Sequence, residues 1–199
     1  MNYLVVSRRV VFLAGLAPAS LLVRDAFVGS LGINPVETIT RSTGIWTLAF
    51  LLMTLGLTPL RRMTGWHWLM KFRRLLGLFA FFYATLHFSI YLGLDHFFDL
   101  DEIARDVIQR PFLTVGFFSF VLLTPLAVTS TDRMIRRLGK LWGRLHRMVY
   151  VAAIGGVVHF LWIVKADRRE PLVYGAVLFF LLGYRALPRR WQPRIRAGR

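Results

Sequence analysis

Residues 72–94 read FRRLLGLFAFFYATLHFSIYLGL, and from Leu75 to Leu94 the run contains no Asp, Glu, Lys or Arg. A helix rises about 1.5 Å per residue, so about 20 apolar residues cross roughly 30 Å of hydrocarbon. The run is apolar all round. It therefore lacks the alternation of a lipid-spanning strand, and it predicts a transmembrane helix carrying one histidine, His87.

Working outward, the same reading finds Val10–Val28, Gly44–Leu60, Phe112–Val128, Leu145–Val164 and Pro171–Leu187, with Pro59 and Pro125 marking where two of them give way. The chain is 199 residues long and 56% hydrophobic. The expectation is an all-α polytopic membrane protein: a six-transmembrane-helix bundle forming a single domain over residues 1–199. An arginine-rich cytoplasmic tail at 188–199 would face lipid headgroups. The start, Ser7-Arg8-Arg9 followed by an apolar run, has the look of a signal segment, but five further spans need a retained first helix to orient them.

The formal charge of +16 would suit nucleic acid if it formed one face. It follows topology instead. With the N-terminus in the cytoplasm, the inner side carries 19 Lys and Arg against one acid, Asp132, and the outer side carries 7 against nine acids. That is the positive-inside pattern, with both termini cytoplasmic, and it argues for membrane lipids and against nucleic acid as the partner. Five of the outer acids, Asp95, Asp99, Asp101, Glu102 and Asp106, share a loop with Phe97 and Phe98. That loop reads either as a docking surface or as ordinary solvated chain.

The chain has no cysteine, which excludes thiolate metal sites, iron–sulfur clusters and thioether-linked haem. It has no G-x-G-x-x-G and no Walker sequence, so no nucleotide module is visible. Any redox centre must use histidine. His67 and His96 fall outside the spans and read as interfacial residues, whereas His87 and His159 lie inside apolar helices, where an ionisable group is costly and usually functional. Helices three and five run the same way, so these two imidazoles sit at similar depth and can face one another as the axial pair of a haem iron.

A second constellation lies toward the inner ends. Arg73 precedes His87 by 14 positions, about 21 Å of rise and about four turns, so the two share a helix face. Arg73 reads equally as a headgroup-facing arginine. His146 and His159 are 13 apart, which turns them off one face, so either the helix is distorted, for which Gly155-Gly156 gives room, or His146 serves another function. Phe79, Phe81, Phe82, Tyr83, Phe88, Tyr150, Phe160 and Trp162 read either as cofactor walls or as core and belt aromatics. Gly77, Gly155 and Gly156 allow either close helix contact or close approach of a flat cofactor.

The ordered combination Thr43-Gly44-Ile45-Trp46, Leu57-Thr58-Pro59-Leu60-Arg61-Arg62, Arg73-Arg74-Leu75-Leu76-Gly77, Tyr83-Ala84-Thr85-Leu86-His87 with Tyr91, Trp142-Gly143-Arg144-Leu145-His146-Arg147-Met148-Val149-Tyr150 and His159-Phe160-Leu161-Trp162 closely resembles the MsrQ (YedZ) family, a relative of the ferric reductase-like transmembrane domain. The resemblance covers nearly the whole chain. It implies a haem b subunit of the bacterial inner membrane, with ligands at His87, His146 and His159 and FMN as a further possible cofactor. It also implies electron transfer from the quinol pool or a cytoplasmic flavin reductase to the periplasmic molybdopterin subunit MsrP, which reduces methionine sulfoxide in oxidised proteins. In that superfamily each of two helices usually carries two histidines. Here Arg73 stands at the inner position of helix three, so one haem is expected and two remain open. The alternatives are a stand-alone ferric or cupric reductase-type cytochrome b, and a proton-coupled transporter whose histidines carry protons.

Overall fold

The computed structural model describes residues 2–187, and the arginine-rich tail at 188–199 lies outside them. The described chain is helical, with no strand: α1 (Asn2–Val28), α2 (Pro35–Thr64), α3 (Arg73–Ile90), α4 (Leu100–Gln109), α5 (Pro111–Val128), α6 (Asp132–Leu138), α7 (Lys140–Leu145), α8 (Met148–Ile163) and α9 (Arg169–Ala186). Five continuous stretches are long and apolar enough to cross a membrane: Val6–Val28, Pro35–Thr64, His67–Asp95, Pro111–Val128 and Lys140–Ile163. The protein is an all-α, multi-pass membrane protein.

The sixth expected span forms α9, but its 18 residues include Arg169, Glu170 and Arg185, so it falls short of the other five in apolar length. It runs alongside α2 and in the same direction. Arg41 pairs with Glu170 at one end (2.5 Å), and at the other Arg185 donates to the Leu55 carbonyl (2.6 Å) and the Tyr150 hydroxyl (2.5 Å). The guanidinium also lies 5.3 Å from the Tyr150 ring centre. These partners let a cation sit among apolar helices.

α2 begins nine residues before the expected Gly44, because Asn34 caps it by accepting from the Glu37 N–H and Pro35 supplies a preset first turn. Its end is the left-handed Gly65, whose N–H returns to the Arg61 carbonyl. The hydroxyls of Thr43, Thr47 and Thr54 donate to carbonyls one turn back, so these side chains enter the interior with their polarity satisfied.

Two antiparallel pairs, α2 with α3 and α5 with α8, make the centre of the bundle. Helices in lipid gain little from the hydrophobic effect against one another, so close packing must hold them. Small residues provide it: Ala80 and Ala84 of α3 and Ala152 and Ala153 of α8 are buried in the shared core with Leu48, Leu51 and Leu55 of α2. The sequence left two roles open for Gly155 and Gly156. They are helix-contact residues, since a Cβ on the first would run into Ser119 Oγ of α5, and on the second would come 2.9 Å from Leu48 Cδ2 of α2.

α1 docks on this core through Phe12, which packs on Phe79, through Leu16 and Ala19, and through the hydroxyl of Tyr83. Tyr83 is fully buried, and its hydroxyl donates to the Gly15 carbonyl (2.8 Å) and accepts from the Ala19 N–H (3.0 Å). Gly15 and Ala19 are an i,i+4 pair, so the phenol is inserted into the α1 ladder. Pro18, inside that turn, has no N–H to donate, and a proline ring crowds the carbonyl one turn back.

The loop expected at Asp95–Arg110 is largely structured. Tyr91–Asp95 forms a π-type turn that ends the α3 rod, and Asp99 caps α4 by accepting from the Asp101 and Glu102 N–H groups. Between them Phe97 and Phe98 adopt left-handed conformations, φ 46° and 63°, with both rings exposed.

Candidate functional site

His87 sits on α3 and His159 on α8, one from each central pair. Their ring centres lie 6.1 Å apart with planes at 85°. Each ring is held the same way. The Nδ1 of His87 lies 2.9 Å from the Thr40 carbonyl of α2, and the Nδ1 of His159 lies 2.7 Å from the Phe112 carbonyl of α5. A carbonyl only accepts, so both Nδ1 atoms carry the proton and both Nε2 atoms keep a free lone pair. This fixed tautomer is the one seen in metal-binding histidines whose outer nitrogen is anchored by the protein.

An imidazole nitrogen lies about 2 Å from a metal it binds and about 1 Å from its own ring centre, so two imidazoles on opposite sides of one ion have centres about 6 Å apart. The observed separation meets that requirement. Among the described residues no group of three or more His, Asp or Glu side chains converges to hold a metal. Two imidazoles supply two ligands, and a haem, whose macrocycle brings its own four nitrogens, fits this donor set.

Arg73 and His146 face a different space. A cavity of about 230 Å³ at the far end of the bundle is lined by both of them, together with Arg74, Ser130 and Trp142 and apolar walls from Phe81, Leu123, Leu126 and Val149. His146 stacks on Trp142, ring centres 3.8 Å apart. Its Nδ1 is 3.1 Å from the Trp142 carbonyl and its Nε2 3.4 Å from Ser130 Oγ. The helix between His146 and His159 is broken at His146–Arg147 rather than at the two glycines. α7 stops at Leu145 and α8 starts at Met148, and the Arg147, Val149 and Tyr150 N–H groups bond three residues back instead of four.

Of the other histidines, His67 is exposed at the start of a short 3₁₀ turn. His96 lies within 3.6 Å of Glu102 and 3.4 Å of Asp106, with its ring against Tyr91. The aromatics divide. Phe79 and Tyr83 stack with Phe50 in the core, Phe81 and Phe88 pack on Phe120, and Trp162 is exposed. Sequence reasoning missed Thr40 and Phe112. Both act through backbone carbonyls, which every residue has, so no side-chain signal marks them.

Residues 43–157 match the family model described as ferric reductase like transmembrane component. A relative from Herminiimonas arsenicoxydans is 51% identical over 94% of this chain and 87% of its own length. One from Azospira oryzae is 52% identical over 89% of this chain and 77% of its own. One from Xanthomonas oryzae pv. oryzae is 45% identical over 98% and 92%. Each is named as the protein-methionine-sulfoxide reductase heme-binding subunit MsrQ. The chain belongs to the MsrQ family. Within this MsrQ-family chain the ferric reductase-like match begins at Thr43 and ends two residues before His159, so it spans most of α2, all of α3 and α5, and most of α8.

Proposed function

We propose that this chain is the haem b membrane electron-transfer subunit of a protein-methionine-sulfoxide reductase system, working in the bacterial inner membrane with both termini cytoplasmic. It serves transfer from the quinol pool or a cytoplasmic flavin reductase to a periplasmic molybdopterin reductase of the MsrP type, for repair of oxidised periplasmic proteins. The observation that carries the reading is the pair of imidazoles, 6.1 Å apart, each with Nδ1 committed to a carbonyl of the neighbouring helix.

A b-type haem supplies a one-electron carrier whose potential depends on axial ligands, their hydrogen bonds and burial. His87 and His159 would hold its iron through their Nε2 atoms. The Thr40 and Phe112 carbonyls orient them and strengthen their donation. Arg73 and His146 are assigned to a second cofactor position at the cytoplasmic end: the guanidinium offers planar donors to an anionic group, a haem propionate or the phosphate of FMN, and the imidazole is a further iron ligand if a second haem is held. The positive-inside distribution of arginine supports this orientation. In that orientation the His87 end would lie near the periplasm, where α3 continues through Tyr91 into the loop of Phe97, Phe98 and α4, the surface we assign to the acceptor.

The test is absorption of the detergent-purified protein, made with ample haem, oxidised and then reduced. The wild type shows a low-spin b-type spectrum, and His87→Ala and His159→Ala each lose the six-coordinate form. Unchanged spectra in both variants refute the ligand assignment. The family match also favours a second reading, a stand-alone ferric or cupric reductase-type cytochrome b. Reduction of metal ions by the reduced protein without any partner would distinguish it.

A further inference from the structure

We propose that Gly44 and Gly116 are positioning residues for the two axial imidazoles; the inference rests on the assignment of haem to His87 and His159. Each ring is anchored on a carbonyl, and in each case the residue one turn further along the same helix face is a glycine: Gly44 follows Thr40 on α2, and Gly116 follows Phe112 on α5. The absence of a Cβ at these positions is what admits the ring. A Cβ on Gly116 would stand 2.7 Å from Nδ1 and 2.8 Å from Cε1 of His159, closer than real side chains approach. A Cβ on Gly44 would stand 3.1 Å from Cε1 and 3.2 Å from Nδ1 of His87. In both cases the edge that meets the glycine is the edge that donates to the carbonyl.

The consequence is chemical as well as steric. The bond from Nδ1–H to a carbonyl makes Nε2 a stronger donor, which favours the ferric state. The two anchors lie in different helices and hold the ring planes at 85°. Perpendicular axial rings leave the iron's two π-donating orbitals nearly equal in energy, and that produces a highly anisotropic low-spin ferric signal. A methyl group at Gly116 or Gly44 pushes the ring edge off its carbonyl, so the bond lengthens and the plane turns.

The experiment compares detergent-purified wild type with Gly44→Ala, Gly116→Ala and, as a control on the same helix as Gly44, Gly56→Ala, whose added Cβ would meet only Leu181 Cδ2 at 4.0 Å. Redox titration of the reduced band and electron paramagnetic resonance of the ferric protein are recorded for each. The expected result is a midpoint moved upward and a less anisotropic signal in Gly116→Ala. A smaller change of the same sign is expected in Gly44→Ala, and wild-type behaviour in Gly56→Ala. If Gly116→Ala does not accumulate, Gly44→Ala decides alone. Wild-type midpoint and signal in every variant that folds would overturn the inference, as would an equal shift in Gly56→Ala. A colourless wild type, or unchanged spectra in the histidine variants, instead brings down the haem assignment itself.

Discussion

Tyr83→Phe isolates the attachment of α1, because it keeps the buried ring and removes only the hydroxyl that joins the Gly15 carbonyl to the Ala19 N–H. Two hydrogen bonds are lost, at about 1 kcal/mol each net, and two backbone groups are left in a dry interior, where each unpartnered group costs about 1–3 kcal/mol. Interhelical bonds in membranes average nearer 0.6 kcal/mol, because groups freed there find other partners. Gly15 and Ala19 are each other's natural helical partners, so part of the loss is recovered if the turn closes. The Pro18 ring opposes that closure. The expected cost is therefore about 1–2 kcal/mol, and in a Pro18→Ala background it should fall to a few tenths, since the ladder can then close without the phenol. The assay is equilibrium unfolding in mixed detergent micelles for the four members of the cycle. A Tyr83→Phe protein within about 0.3 kcal/mol of wild type, or a cost that does not depend on residue 18, would refute the role given to this hydroxyl.

Phe97→Ala combined with Phe98→Ala should leave the absorption spectrum intact and slow partner-dependent sulfoxide reduction about tenfold, since an exposed aromatic anchor is worth about 1–2 kcal/mol of association. An unchanged rate with a reconstituted MsrP-type partner would remove this loop from the acceptor surface. The Asp132 carboxylate is held below the usual aspartate range, chiefly by its hydrogen bond from Arg74 (2.5 Å) and then by that charge. A depressed folded pKa means that the contribution is present above the ordinary aspartate pKa and lost as pH falls through the folded value. The thermal midpoints of wild type and Asp132→Asn should therefore differ near neutral pH and converge under acid; a gap independent of pH would count against the pairing.

The class of the protein was legible in the sequence because hydrophobic length is a local property. Any window of apolar residues long enough to span lipid declares itself, and the five strongest spans all coincide with helices in the fold. α9 shows the limit: its three charges shorten the apolar run, and only the partners of Arg185 on α2 and α8 explain how that cation is accommodated. His87 and His159 stood out because an ionisable group in a dry helix is expensive. Their tautomer, their 85° crossing and the glycine beneath each ring were not legible, because they depend on carbonyls and missing side chains contributed by other helices. The 13-residue spacing of His146 and His159 allowed a distortion and pointed to Gly155-Gly156 as the room for it, whereas the helix breaks at His146–Arg147. Where the helix breaks depends on how α7 is seated against the end of α5, with Trp142 donating to the Thr129 carbonyl (3.0 Å). Composition and periodicity thus determined that the chain crosses the membrane and carries histidines there. Tertiary structure decided which nitrogen each histidine offers, because hydrogen-bond partners 47 residues away cannot be inferred from side-chain identity alone.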